Sequence, residues 1–149
     1  MAGLKYLLDT NVLSEPSRPH PDVGVRLRLR AHRHEVCAAA PILHEMQYGL
    51  ARMPEGARKR QLARYLEQIL RHPLPILPYD LEAARWHAEE RARLTARGRT
   101  PPYVDGQIAA IAATNDLTLV TRNTRDFGDY DNLRVEDWFG RPGTTVHDG

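Results

Sequence analysis

The sequence predicts an α/β fold, a three-layer α/β/α sandwich around a central, mostly parallel sheet of four to five strands. Short apolar segments alternate with segments of helical periodicity along the chain, which is typical of parallel sheets covered by helices. The first, Tyr6–Leu8, is continuously apolar, as expected of a strand that is buried on both faces. Asp9 follows it directly, at the edge of the sheet where such folds bind ligands.

The first strand leads into a short helical turn over residues 10–17. Asp9 itself could cap that turn, although we expect Thr10 and Asn11 to carry out the capping. Asp22 caps a helix over Val23–Ala31, with Val23 and Leu27 on related faces. A second buried strand follows over residues 36–39, although its alanines would also suit the start of the next helix.

The next helix carries the first candidate acid that does not follow a strand. Pro41 suits its first turn, where the missing N–H costs nothing. Glu45 borders an apolar stripe instead of pointing fully into solvent. The stripe consists of Ile42, Met46, Gly49, Leu50 and Met53.

Two amphipathic helices and an edge strand occupy the middle of the chain. The first helix spans residues 58–71, and its basic start is interpreted as a solvated face rather than an RNA contact. Its inward residues are expected to be Leu62, Leu66, Ile69 and Leu70. A proline in residues 74–77 indicates a strand at the sheet edge.

Asp80 is expected to cap a long helix that runs to about Arg97 and stops at Gly98. Trp86 and His87 lie outside the stripe predicted to be buried. That stripe consists of Leu81, Ala84, Ala88, Ala92 and Thr95.

The last third of the chain contains the most apolar helix and a second strand that ends in polar residues. The helix over residues 103–115 has an almost wholly apolar interior, so it should be the central buried helix. Asp105 lies in its first turn, where the helix dipole alone would explain a carboxylate. The strand over residues 117–121 runs into a polar segment that contains Asn123 and Asp126. A last short strand is expected over residues 133–135.

Composition is that of an ordinary globular protein, with 149 residues, 42% hydrophobic and 27% charged. We expect one domain over residues 1–139 and a flexible tail over 140–149. No apolar run approaches the roughly 20 residues of a membrane span, and no secretory leader is recognisable, so a cytoplasmic protein without a membrane partner is expected. Cys37 is the single cysteine, which excludes an intrachain disulfide and a cysteine-based metal cage.

The charge of the chain does not identify a partner. The net charge is only +2, but nineteen of the twenty-one Lys and Arg residues are arginine. Arginine binds phosphate and carboxylate groups through two parallel hydrogen bonds, so this bias suits RNA or an acidic partner. The base composition of the source genome explains the bias equally well.

Four acids are candidates for a common site: Asp9, Glu45, Asp105 and Asp126. Carboxylates that converge without basic partners repel one another, and a divalent cation relieves that repulsion. Oxygen ligands suit Mg²⁺ or Mn²⁺, which can hold a phosphodiester and activate water. The sequence contains no histidine pair, nucleophile elbow or glycine-rich phosphate loop that would indicate another chemistry.

Four segments in order resemble the PIN domain, most closely the VapC/FitB-type toxins of bacterial toxin–antitoxin pairs. They read LLDTNVLSE, ILHEMQYGL, DGQIAAIA and TRNTRDF, and the resemblance extends from residue 4 to about residue 138. It implies that Asp9, Glu45 and Asp105 form the metal-binding catalytic site. The family's usual fourth acid is replaced by Asn123, which leaves the number of metal ions open. Asp126 either compensates for this change or only anchors the loop.

The resemblance also assigns supporting residues. Asn11 and Thr121 are expected to orient the acids through hydrogen bonds. Arg122 and Arg125 are expected to contact the substrate.

The implied activity is that of a Mg²⁺-dependent (or Mn²⁺-dependent) endoribonuclease that cleaves RNA with a metal-activated water and inhibits translation. Glu45 is expected to help take the proton of that water. The resemblance further implies a homodimer in a higher-order complex with a small VapB/FitA-type antitoxin, whose C-terminal segment covers the acidic pocket. Two alternatives are a PIN-like nuclease of RNA processing or DNA repair without an antitoxin, and a non-catalytic partner of a DNA-binding antitoxin.

Overall fold

The computed structural model describes residues 3–72 and 74–140, and in this part the centre of the fold is a five-stranded parallel sheet. Its strand order is β3-β2-β1-β4-β5. The strands are β1 (Tyr6–Leu8), β2 (Val36–Ala39), β3 (Ile76–Leu77), β4 (Thr118–Val120) and β5 (Arg134–Glu136). The predicted fold class is confirmed, and β3 lies at an edge of the sheet as its neighbouring proline indicated.

Helices flank the sheet, and most of their predicted bounds are correct to within one or two residues. Those in the described residues are α1 (Thr10–Leu13), α2 (Val23–Ala31), α3 (Ala40–Arg52), α4 (Ala57–Arg71), α5 (Leu81–Ala96) and α6 (Tyr103–Thr114). Two 3-10 turns cover Glu15–Ser17 and Thr124–Phe127. Except for Gly140, the predicted tail lies outside the described residues. None of the described helices is long and apolar enough to cross a membrane.

The order of the strands places a topological switch point at the end of β1. From β1 the chain adds β2 and β3 on one side, and later returns to add β4 and β5 on the other. The backbone N–H of Asp9 donates to the Val120 carbonyl across this junction, at 2.9 Å. Because ligands of parallel α/β sheets bind where the strand order reverses, the loops after β1 and β4 are the natural location of a site.

The core includes most of α6, which is the central buried helix that the sequence predicted. Its residues Gly106, Ile108, Ala109, Ala110, Ile111 and Ala112 are all buried. Their small side chains permit close packing, because a helix can approach a neighbour closely only where its side chains are short. The first turn of α6, which contains Asp105, is therefore held firmly against the rest of the fold.

The predicted buried stripe of α5 is wrong. The buried residues of this helix are Ala83, His87, Glu90 and Leu94, while Leu81 is 67% exposed. His87 is tolerated inside because its Nδ1 lies 2.8 Å from the Tyr79 hydroxyl. Glu90 is paired with Arg93. Polar side chains that have such partners can be buried at little cost, so the alanine stripe was not the side that faces the core.

Three other predicted apolar positions lie on the surface. Leu70 of α4 is 57% exposed, and in α2 Val23 and Leu27 are 54% and 45% exposed. The α2 helix instead turns Gly24 and Val25 inward. A Cβ on Gly24 would overlap the carbonyl oxygen of Gly140, so the glycine allows the C-terminal segment to lie directly on this helix.

Candidate functional site

Asp9 occupies the switch point and is held there by two hydrogen bonds. Its carboxylate accepts from the Thr10 backbone N–H at 2.8 Å and from the Thr121 hydroxyl at 2.7 Å. The side chain also caps α1, so the expectation that Thr10 and Asn11 carry out the capping is wrong. The reason is the extended backbone of Asp9 (φ −71°, ψ 164°), which brings its carboxylate to the first N–H of the helix.

A hydrogen-bond network behind Asp9 connects the loops after β1 and β4. The hydroxyl of Thr121, which is fully buried, donates to Asp9 and accepts from the Asn123 backbone N–H at 3.1 Å. Asn11 donates its side-chain N–H to Thr121 at 3.4 Å and accepts from the Arg122 backbone N–H at 3.1 Å. Thr121 therefore contacts the acid directly, while Asn11 reaches it only through Thr121.

Glu45 reaches the same site from α3. Its side chain is half-buried, and its Oε2 accepts from the Thr10 hydroxyl at 2.8 Å. Thr10 was expected to serve only at the start of α1, and its contact with Glu45 was not predicted. No sequence signal identifies this contact, because the two residues lie 35 positions apart and meet only through the packing of α1 against α3.

Asp105 has the most unfavourable electrostatic environment of the four acids. Its pKa is raised from an ordinary 3.8 to about 6, chiefly by burial and in addition by the negative charges of Asp9, Asp126 and Glu45. Within the described residues, its carboxylate forms no hydrogen bond or ion pair. The carboxyl groups that the sequence predicted to converge thus interact electrostatically in the folded chain.

The pKa of Asp9 is also raised, first by burial, although its two hydrogen bonds oppose this effect. The charges of Glu45 and Asp126 contribute in the upward direction. Hydrogen bonds therefore stabilise the ionised form of Asp9, whereas the Asp105 carboxylate receives none from the described residues.

The loop after β4 brings Asn123 and Asp126 to the solvent side of the site. Both residues are exposed, and the backbone N–H of Asp126 donates to the Asn123 carbonyl at 3.1 Å. The side chain of Asp126 forms no hydrogen bond to another described residue, whereas Phe127 is only 2% exposed. Phe127, and not Asp126, therefore anchors this loop in the core.

Arg122 and Arg125, the predicted substrate-binding residues, are exposed in the loop after β4 that also contains Asn123 and Asp126. The Arg122 guanidinium lies over the Phe139 ring, 4.5 Å from its centroid. No ion pair joins either arginine to the four acids in the described part of the chain. Their charges are consequently available to an anionic ligand.

The donor set suits a hard divalent cation. In residues 3–72 and 74–140, no Lys, Arg or His forms an ion pair with the four acids, and carboxylate oxygens are the ligands that Mg²⁺ and Mn²⁺ prefer. Within the same residues, however, no three side chains are already arranged to hold a metal ion. Like charges repel one another when no cation lies between them, so the arrangement without an ion should be the more open one.

Comparison with known proteins gives one family match and several relatives. A family model described as the PIN domain matches residues 6–133. The tRNA(fMet)-specific endonuclease VapC of Shigella flexneri is 35% identical over 137 residues, which cover 91% of this chain and 98% of that protein. The toxin FitB of Neisseria gonorrhoeae is 37% identical over 127 residues, which cover 81% of this chain and 89% of that protein.

Solved structures show the same architecture. FitAB bound to an IR36 DNA fragment contains a chain that is 34% identical, with a TM-score of 0.80 and coverage of 94% of this chain and 99% of the other. VapBC2 from Rickettsia felis, bound to a DNA fragment from its promoter, contains a chain that is 26% identical, with a TM-score of 0.79 and coverage of 91% and 99%.

Proposed function

Because this chain belongs to the PIN domain family, as its four motifs predicted, we propose that it is the endoribonuclease toxin of a toxin–antitoxin pair and requires Mg²⁺ or Mn²⁺. The observation that carries the proposal is the set of carboxylates at the switch point, where the half-buried Asp105 lies near three other negative charges. Such a set is unfavourable alone and becomes favourable around a divalent cation. The names of the relatives support nuclease and toxin activity of this kind.

In this proposal Asp9, Glu45 and Asp105 hold the metal ion and are the catalytic residues. When bound, Mg²⁺ supplies positive charge that holds the phosphodiester and lowers the pKa of a water molecule. Thr121 keeps the Asp9 carboxylate oriented through its hydrogen bond of 2.7 Å. Glu45 accepts the proton of the attacking water, with Thr10 fixing one of its two oxygens.

In this proposal, Asp126 supplies the negative charge that the family's usual fourth acid carries and that Asn123 lacks. The negative charge of Asp126 raises the pKa of both Asp9 and Asp105, which supports its taking part in the same site. Asn123 could contribute a carbonyl oxygen without charge, so a second metal ion would bind weakly. Arg122 and Arg125 then bind RNA phosphates beside the acids.

The proposed partners are RNA, a second copy of the chain and a small VapB/FitA-type antitoxin. Support for the antitoxin comes from relatives solved as FitAB and VapBC complexes. A cationic side chain from the antitoxin could take the place of the metal ion among the four carboxylates, and so inhibit the enzyme by charge replacement. We propose that the toxin acts in the cytoplasm and inhibits translation by cleaving RNA.

The test is cleavage of random-sequence single-stranded RNA by the purified chain in Mg²⁺, in Mn²⁺ and in EDTA. We expect cleavage with either metal ion, none in EDTA, and none by Asp9→Asn, whose folding is checked by circular dichroism. Glu67→Gln removes an exposed acid of α4 and is the matched control, which should cleave normally. Cleavage by Asp9→Asn or in EDTA would refute the proposed metal site.

Expression in bacteria separates the proposal from its two alternatives. A toxin should arrest growth, and co-expression of a small antitoxin encoded beside it should relieve the arrest. RNA cleavage without growth arrest would favour a processing or repair nuclease. Antitoxin binding without cleavage would favour a non-catalytic partner.

A further inference from the structure

A small cavity lies between α3 and α6, the two helices that carry Glu45 and Asp105. Its volume is about 270 Å³, and its lining consists of Ala40, Pro41, His44, Tyr79, Val104 and Gln107. We propose that this cavity binds one unstacked base of the RNA substrate, and that an exposed aromatic ridge on α3 stacks a neighbouring base. The inference rests on the proposed function and specifies how the substrate is held.

The position of the cavity follows from the sequence neighbours of the acids. His44 directly precedes Glu45 on α3, and Val104 directly precedes Asp105 on α6. The cavity therefore opens between these helices at the same end of the sheet as the acids. A nucleotide next to the scissile phosphate would have its base directed toward this opening.

The lining has the mixed character that a nucleobase requires. Pro41 and Val104 offer apolar surface, and His44 and Tyr79 offer aromatic rings. Gln107 offers a carboxamide that forms no hydrogen bond to another described residue, so its donor and acceptor are both free for a base edge. Single-stranded RNA is recognised by this combination of stacking and hydrogen bonding to unstacked bases.

The size of the cavity limits its occupant to a single planar group. Sites for drug-sized molecules begin at roughly 300 Å³, and this cavity is slightly smaller. The Tyr79 side chain on its wall is fixed, because the hydroxyl lies 2.8 Å from Nδ1 of the buried His87. The wall is therefore already formed before a ligand binds.

A ridge of three side chains continues from the cavity along α3. His44, Tyr48 and Arg52 are spaced four residues apart and so lie on one face of the helix. The imidazole and phenol rings are nearly parallel, at 8°, with centroids 6.2 Å apart, and the Arg52 guanidinium lies 4.5 Å from the Tyr48 centroid. Tyr48 is 54% exposed.

The chemistry of this ridge favours RNA over a second copy of the chain. Exposed rings stack on bases of any sequence, and an adjacent arginine adds attraction for the phosphates. A contact between two copies of the chain at this face would have to bury the Arg52 guanidinium and the Gln107 carboxamide. Burying Arg52 would be costly, because no acid in the described part forms an ion pair with it. The observations therefore favour an anionic, aromatic ligand.

Binding is tested with fluorescein-labelled RNA oligomers of A, C, G or U in EDTA, by anisotropy, with the full chain and its variants. Tyr48→Ala should weaken binding of all four by about 5- to 150-fold, the loss of one stacked base. Gln107→Leu should instead reduce the difference in affinity among the four oligomers, by about 2- to 10-fold. The controls are His34→Ala and Gln68→Leu, which should bind as the wild type does. His34 is exposed just before β2, at the amino ends of the strands, and Gln68 is exposed on α4.

Cleavage and molar mass separate the outcomes. Sequencing of the ends produced from random RNA should show a nucleotide preference that Gln107→Leu weakens. Suppose that the wild type cleaves RNA, and that Tyr48→Ala and Gln107→Leu bind RNA as tightly and show the same nucleotide preference. The proposed nuclease activity is then supported and the proposed base site is refuted. If Tyr48 is needed for binding but no RNA is cleaved in Mg²⁺, the base site stands and the proposed nuclease fails. A change in molar mass in Tyr48→Ala, measured by light scattering, would identify the ridge as an interface between copies and overturn the inference.

Discussion

Replacing Asp105 by asparagine should make the metal-free protein more stable while it abolishes RNA cleavage. The pKa of this carboxyl is raised from 3.8 to about 6, and two pKa units correspond to roughly 3 kcal/mol if the whole effect acts on folding. Asp105 is only partly buried, so water screens part of that energy. We expect Asp105→Asn to gain about 1 kcal/mol of unfolding free energy at pH 7.5.

The gain should depend on pH in a defined direction. The folded pKa lies above the unfolded one, so below about pH 4 the group is protonated in both states and costs nothing. Between about pH 4 and 6 the unfolded chain releases its proton first, and the stability contributed at this position falls as pH rises. Above about pH 6 the carboxyl is ionised in both states, so the stability lost at this position no longer changes with pH. The difference between Asp105→Asn and the wild type should therefore be small at pH 4 and full at pH 7.5.

Urea unfolding in EDTA at low ionic strength measures this difference. Glu67→Gln, which removes an exposed charge from α4, should change stability by less than about 0.5 kcal/mol at either pH. If Mg²⁺ binds the folded chain as proposed, adding it should stabilise the wild type and should stabilise Asp105→Asn much less. A variant that is less stable than the wild type in EDTA at pH 7.5 would refute the view that unrelieved charge repulsion dominates at Asp105.

Four further substitutions test the site and the fold. Asn123→Asp should tighten Mn²⁺ binding if this residue contacts a second metal ion, and unchanged calorimetric affinity would count against that contact. Thr121→Val removes the hydroxyl that donates to Asp9, and should weaken calorimetric Mg²⁺ binding by about 10- to 100-fold; normal affinity would show that Asp9 needs no orientation. Gly24→Ala should cost about 1–3 kcal/mol in urea unfolding, because its Cβ meets the backbone of Gly140. Gly49→Ala, with open space around its Cβ, should gain about 0.5–1 kcal/mol, and equal effects at the two glycines would contradict the packing of α2.

The parts of the fold that the sequence predicts well are those in which one type of residue dominates. Tyr6–Leu8 and the interior of α6 are apolar with little interruption, so their burial does not depend on which face is chosen. In α5 apolar and polar residues are mixed, so the prediction depends on which face of the helix is taken as buried, and the predicted face was wrong. His87 is buried because Tyr79 provides a partner and Gly106 leaves room for its ring, and neither contact can be recognised from the residues of α5 itself.

The candidate site divides in the same way. The positions of Asp9 and Asp105 follow from strand ends and helix starts, which a single sequence indicates. The contact between Thr10 and Glu45 joins residues 35 positions apart. It depends on how α1 and α3 pack, and no local pattern encodes that packing.

The two central acids differ in what keeps them ionised, and this difference bears on how the site would respond to a metal ion. Asp9 receives hydrogen bonds from Thr10 and Thr121, which favour its charged form although burial opposes it. Asp105 receives none from the described residues, so its charged form is favoured by the dipole of α6 and would be favoured further by an added cation. Metal binding near neutral pH should therefore be accompanied by proton release mainly from Asp105, and the affinity for the ion should fall as pH drops through about 6. In the proposed metal site, Asp9 would be the fixed ligand, and Asp105 the ligand whose charge depends on the ion.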